Sequence, residues 1–134
     1  MIVTVRGLAP LITAALLVGA PALAQDKGAG DRTQAGQLLF NNACRTCHTV
    51  KEGDNRLGPS LHAIVGRKAG QLANYGYSSA MKGADIVWDK ATLDRFIASP
   101  DQVVPGNSMK PFGGLASAED RATIIAYLES GGGH

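Results

Sequence analysis

Asn41-Asn42-Ala43-Cys44-Arg45-Thr46-Cys47-His48-Thr49-Val50 holds both cysteines of a 134-residue chain, two residues apart, with a histidine directly after the second. Four chemistries use such a pair. In an oxidising compartment the thiols can close a disulfide, and redox dithiols of the thioredoxin type have the same spacing. Those dithiols sit in βαβ units, and this chain has no alternating strand pattern. A structural zinc site takes four ligands, whereas the other histidines, His62 and His134, are isolated and no second Cys-x-x-Cys occurs. The fourth chemistry uses all three residues at once. On a helical turn, positions i, i+3 and i+4 project from one face. Cys44 and Cys47 can then reach the two vinyl groups on one edge of a haem, with the His48 imidazole beneath the iron. Cys-x-x-Cys-His is a signature of c-type haem attachment, and the rest of the chain favours it.

Residues 1–24 read as a cleaved secretory signal peptide. MIVTVRG has one positive charge, LAPLITAALLVGAP is apolar, and Ala22-Leu23-Ala24 suits the peptidase. The apolar run is short for a membrane span and is interrupted by Pro10 and Pro21. Cleavage leaves roughly 110 residues, enough for one small domain, exported to the periplasm without stable membrane insertion. There a covalently held cofactor cannot be lost by diffusion. Thirteen Lys and Arg face 11 Asp and Glu, and the leader removes Arg6. A near-neutral chain with no basic run gives no support for nucleic-acid binding. Three Phe, three Tyr and one Trp stand against 17 Gly. A domain of this size buries a limited core, and a haem would supply the large apolar body that the side chains lack.

Residues 25–30 are expected to form a disordered leader to a domain over 31–130. Asp31 is a plausible N-cap for a helix with Ala35, Leu38, Leu39 and Ala43 at helical spacing. A long glycine-punctuated irregular region follows, from Thr49 to Tyr77. SSAMK (78–82) suits one or two helical turns. ATLDRFIAS (91–99), capped by Asp89, has Leu93, Phe96 and Ile97 on one stripe and must stop at Pro100. PDQVVPGNSMKPFGGL reads as loop. SAEDRATIIAYLES (117–130) begins with Ser117 and Asp120 at capping-box spacing and presents Ile124, Tyr127 and Leu128 as an apolar stripe. GGGH (131–134) is expected to be a flexible tail. The outcome is an all-α domain of three main helices, short helical turns and long loops, and loops of that length are functional or disordered.

Once the leader is gone, Met81 and Met109 are the remaining thioethers. Met81, in the short helical patch, reads as a core methionine. Met109 lies in the proline-stiffened VVPGNSMKPFGG, far enough beyond His48 to return to the other side of a haem, and is favoured as sixth ligand. His62 is the competitor.

These motifs and their order resemble class I c-type cytochromes, the family of mitochondrial cytochrome c and its bacterial relatives. The resemblance runs from Gly36 to Leu128: Gly36 and Phe40, CRTCH, GPSLHAIVGRKAG, NYGYSSAMKG, VWDKATLDRFIASP, VPGNSM and IIAYL. It implies the family fold around one covalent haem c. Gly36 would let the first helix cross the last against Ile124 and Tyr127, with Phe40 in the same contact. The Pro59 carbonyl would accept from His48, and Arg67, Tyr77, Trp88 and Asn107 would contact the haem propionates. Phe96 occupies a place where relatives often have tyrosine, and Met81 one where asparagine is common. MKPFGGL is one residue longer than usual. Asp101, Gln102 and Ser108 fall where lysines often stand, leaving Lys82, Lys110 and Arg45 as candidates for steering.

With both axial positions filled and no catalytic constellation, the implied function is not enzymatic. It is a monomeric, diffusible periplasmic electron carrier cycling Fe(III)/Fe(II) by outer-sphere transfer. Its partners would be met transiently: a membrane cytochrome complex, an oxidase, a reaction centre or a periplasmic dehydrogenase. The alternative is an obligate haem subunit of such a dehydrogenase.

Overall fold

A computed structural model describes residues 26–133; the signal-peptide assignment lies outside them. The described chain is all-α. In chain order its helices are α1 (Asp26–Ala43), α2 (Ser79–Gly83), α3 (Lys90–Ala98), α4 (Pro100–Val103) and α5 (Ala118–Glu129). The only β pairing among the described residues is an isolated bridge between Lys68 and Val87.

Helix α1 crosses α5, and α3 packs against both α5 and α4. The α1–α5 crossing is close because position 36 has no side chain. A Cβ there would lie 2.5 Å from Tyr127 Cβ and 3.0 Å from the Thr123 carbonyl oxygen. Phe40 and Tyr127 meet beside it, ring centroids 5.6 Å apart and planes at 46°, and Ile124 is fully buried. The contact implied for Gly36 and Phe40 is present.

Local chemistry sets the helix ends. Ser78 Oγ accepts from the Met81 N–H at 3.1 Å, Asp89 Oδ1 from the Thr92 N–H at 2.7 Å, and Ser117 Oγ from the Asp120 N–H at 3.2 Å. Each satisfies one of the donors that a helix start leaves without an intrahelical partner. Pro100 ends α3 and opens α4, where its missing N–H costs nothing.

Three boundaries differ from the sequence expectation. First, α1 runs through 26–30, the segment expected to be a disordered leader. Asp31 is a helix-interior residue rather than a cap, since nothing in this polar stretch stops the helix. Second, PDQV, expected to be loop, forms the single turn of α4. Third, 131–133 form an ordered C-cap in place of a flexible tail. The Gly131 N–H donates to Leu128 O at 3.2 Å and the Gly132 N–H to Tyr127 O at 3.0 Å. Gly131 sits at φ +80°, and this reciprocal pattern is the Schellman motif. Gly132 also abuts Val50. The run of glycines suggested fraying, but it supplies the left-handed backbone the cap requires.

Candidate functional site: a haem cleft between Cys44, His48 and Met109

The Cys-x-x-Cys-His segment leaves α1 as a tight turn. The N–H groups of Cys44 and Arg45 both donate to Phe40 O, and the His48 N–H donates to Cys44 O at 2.9 Å. That last bond is an i to i+4 bond, so the three side chains share a face as on a helix. Cys44 and Cys47 are half-buried free thiols. Burial, and secondarily the neighbouring Cys47, pushes the Cys44 thiol up to about 11.

His48 is buried, with Nδ1 2.7 Å from Pro59 O. The carbonyl can only accept, so it selects the tautomer with the proton on Nδ1 and leaves the Nε2 lone pair available. Burial holds the His48 pKa below its usual value, the Pro59 bond opposes this, and Arg67 adds to it. The ring is thereby kept neutral, the form that binds a metal. Gly58 lies against this ring: a Cβ at position 58 would come within 2.6 Å of His48 Nδ1.

The long segment 49–77 is irregular but stitched. The Leu61 N–H donates to Thr49 O at 2.7 Å and the Gly58 N–H to Cys47 O at 2.8 Å. Ser60 Oγ donates to Lys51 O at 2.6 Å, and the Ser60 N–H donates to Asn55 Oδ1 at 2.9 Å. Sequence reasoning passed over Ser60, although it is 1% exposed; nothing in a lone serine announces a loop hub.

Two adjoining cavities occupy the space these elements enclose. The outer is a cleft of about 510 Å³ bounded by Cys44, Cys47, His48, Leu57 and Tyr75 among others. The inner, of about 100 Å³, reaches Arg67, Trp88, Phe96 and Leu128. Cys44, His48, Tyr77, Met81, Met109 and Phe112 line both. Met109 and Met81 therefore share the cleft, and Met81 is 9% exposed.

Of the residues expected at the propionates, three line the inner cavity. Arg67 Nη1 and Nη2 donate to the carbonyls of His62 and Ser60 at 3.1 and 2.9 Å. Its burial pushes its pKa down and Tyr77 counters this. Carbonyls do not neutralise a half-buried guanidinium, which suits it to an acidic group. Tyr77 meets Tyr75 edge-on at 4.8 Å and 74°. Trp88 packs on Phe96 with centroids 4.9 Å apart. Asn107 is engaged elsewhere in this structure. Its side-chain nitrogen donates to Asp101 Oδ1 and Val104 O, both at 2.9 Å, and its oxygen accepts from the Met109 N–H at 2.9 Å. Both amide hydrogens are committed to the chain, and Asn107 lines neither cavity. Lys110, a steering candidate, is paired with Asp101.

A large apolar slot with two free thiols at its mouth, a neutral imidazole in its wall, two thioethers and a cation deep inside fits a haem bearing carboxylates. The comparisons agree. Residues 31–128 match the family described as cytochrome C oxidase, cbb3-type, subunit III. Cytochrome c of Gibberella zeae is 43% identical over 102 residues, covering 75% of this chain and 95% of that protein. The chain belongs to the class I c-type cytochromes. Cytochrome c2 iso-2 of Magnetospirillum fulvum is 45% identical over 87 residues, covering 65% of this chain and 90% of that protein. The solved structure of cytochrome cH from Methylobacterium extorquens superposes with a TM-score of 0.67 at 36% identity, covering 73% and 97% of the two chains. This cytochrome carries one covalently bound haem c and functions in electron transfer.

Proposed function

We propose that this cytochrome is a diffusible periplasmic electron carrier with His/Met-ligated iron, exported by residues 1–24 and working without enzymatic turnover. Cys44 and Cys47 would hold the haem by thioether bonds, and His48 and Met109 would be the axial ligands. The observation that carries the reading is that all four residues line one cleft, in which the His48 ring is oriented by Pro59. When bound, the haem supplies a one-electron Fe(III)/Fe(II) couple. Met109 would lend a thioether, a ligand that raises the potential. Pro59 fixes the imidazole tautomer, and Arg67, Tyr77 and Trp88 would meet the propionates from the inner cavity. Leu57, 77% exposed at the rim of the cleft, suits a small, weakly held apolar contact with a redox partner. Such partners are a membrane cytochrome complex, an oxidase, a reaction centre or a periplasmic dehydrogenase.

The test is an absorption spectrum of the purified protein, oxidised, reduced and reduced under carbon monoxide, repeated after acid-acetone extraction. Haem that resists extraction and ignores carbon monoxide is expected. Carbon monoxide binding by the parent protein would overturn the six-coordinate reading. Met109→Ala is expected to bind carbon monoxide and to lower the potential, and Met81→Ala to do neither. The reverse pattern would transfer the ligand role to Met81, which lines the same cleft.

A further inference from the structure

Met109 sits between two residues that converge on one carboxylate. Asp101, in the first turn of α4, accepts from Asn107 Nδ2 through Oδ1 at 2.9 Å and from Lys110 Nζ through Oδ2. Asn107 is 6% exposed. Its backbone N–H donates to Val104 O at 3.0 Å, and its side-chain nitrogen donates to the same carbonyl at 2.9 Å. Its side-chain oxygen accepts from the Met109 N–H at 2.9 Å. An ionised carboxylate offers acceptors alone. Asp101 therefore draws the NH₂ edge of the amide towards α4 and turns the carbonyl edge towards Met109.

We propose that Asp101 is a positioning residue for Met109: through the Asn107 amide it fixes the Met109 backbone and so holds the sixth coordination position closed to outside ligands. The inference rests on the reading of Met109 as the iron ligand. The two arms are unequal. Lys110 and Asp101 are an exposed pair, a kind worth little. The Asn107 arm ends on a buried amide with three partners, where loss of one acceptor lets the group reorient. Val104 O alone would then hold the NH₂ edge, and the donor from Met109 would lose a fixed acceptor.

The test uses the haem-loaded ferric protein and four variants: Asp101→Ala, Asp101→Asn, Lys110→Met and Met109→Ala. Two rates are read, the association of imidazole followed by absorption and the hydrogen exchange of the Met109 amide. Asp101→Ala is expected to speed both by about fivefold or more, the scale of one modest hydrogen bond. Asp101→Asn keeps an oxygen for Asn107 and is expected to stay within about twofold of the parent, as is Lys110→Met, since neither removes that acceptor. Either rate remaining within about twofold of the parent in Asp101→Ala overturns the proposal. So does an Asp101→Asn as fast as Asp101→Ala, which would make charge rather than the Asn107 bond the cause. If Met109→Ala binds imidazole no faster than the parent, the ligand reading itself fails and the proposal with it, a result separate from failure of the clamp alone.

Discussion

Adding a methyl group at position 36 tests the helix crossing on which the domain is built. The Cβ of an alanine would sit 2.5 Å from Tyr127 Cβ and 3.0 Å from Thr123 O, whereas carbon atoms settle at about 3.5–4.0 Å. One obstacle is main chain and the other is bonded to it, so neither can swing aside as a side-chain tip would. The helices must part by about 1 Å, and overpacking of that kind costs about 1–3 kcal/mol. The upper half of the range applies here, because Phe40 and Ile124 are packed around the crossing. Alanine returns roughly 1 kcal/mol through its better helix propensity. The net loss is about 1–2 kcal/mol, or roughly 5–10 °C in Tm for a domain near 100 residues. Gly30→Ala is the control: it has the same propensity gain in the same helix, with nothing within 4 Å of the new Cβ. Thermal unfolding of the haem-loaded variants, followed by far-ultraviolet circular dichroism, should put Gly36→Ala below the parent and Gly30→Ala at or above it. A Gly36→Ala protein as stable as the parent would refute the close crossing.

Gly58→Ala should be destabilised by about 3 kcal/mol in guanidinium titration. Its Cβ would press on three atoms of the His48 ring, and the redox potential should shift as the ring is displaced from Pro59. Arg121→Ala removes a side chain that bridges Asp94 on α3 at 2.8 Å and the carbonyls of Leu115 and Ala116 at 2.9 and 2.8 Å. Loss of these charge-assisted bonds should cost about 1.5–3 kcal/mol, read by the same titration, and an unchanged midpoint would dismiss the bridge as ornament. The N-cap of α3 gives a pH prediction. The backbone hydrogen bond from Thr92, then its hydroxyl, holds the Asp89 carboxyl below the ordinary 3.8. Because the folded value is the lower one, the contribution is complete above pH 3.8 and is lost as the pH falls through the folded value. Tm should therefore drop more steeply below about pH 4 in the parent than in Asp89→Asn, which caps without titrating; parallel curves would contradict this.

Much of this protein was legible because its decisive features are local. Cys44, Cys47 and His48 lie within five consecutive residues, and turn geometry alone puts them on one face. The caps at Asp89 and Ser117 are one-turn chemistry, as is the stop at Pro100. Family resemblance extended this reading to Gly36, whose reason is a non-local contact with Tyr127. What stayed illegible depends on partners distant in sequence or on backbone conformation. A GGG run reads as fraying until Leu128 and Tyr127 offer it carbonyls. Ser60 looks ordinary until Lys51, Asn55 and Arg67 gather on it.

The sequence by itself determined the all-α class, the N-caps of α3 and α5 and the stop at Pro100, and it pointed to Cys44, Cys47 and His48 as the place where a haem would attach, since each follows from residues a turn or less apart. Only the tertiary structure decided how the wall of the cleft is shared. It turned Asn107 away from the cavity and onto Asp101 and Met109, and it brought Met81 to the same cleft as Met109. The reason is that a side chain's partner is set by where folding carries the other segments. An amide with two edges goes to whichever donors and acceptors arrive, and for Asn107 those came from α4 and its own loop.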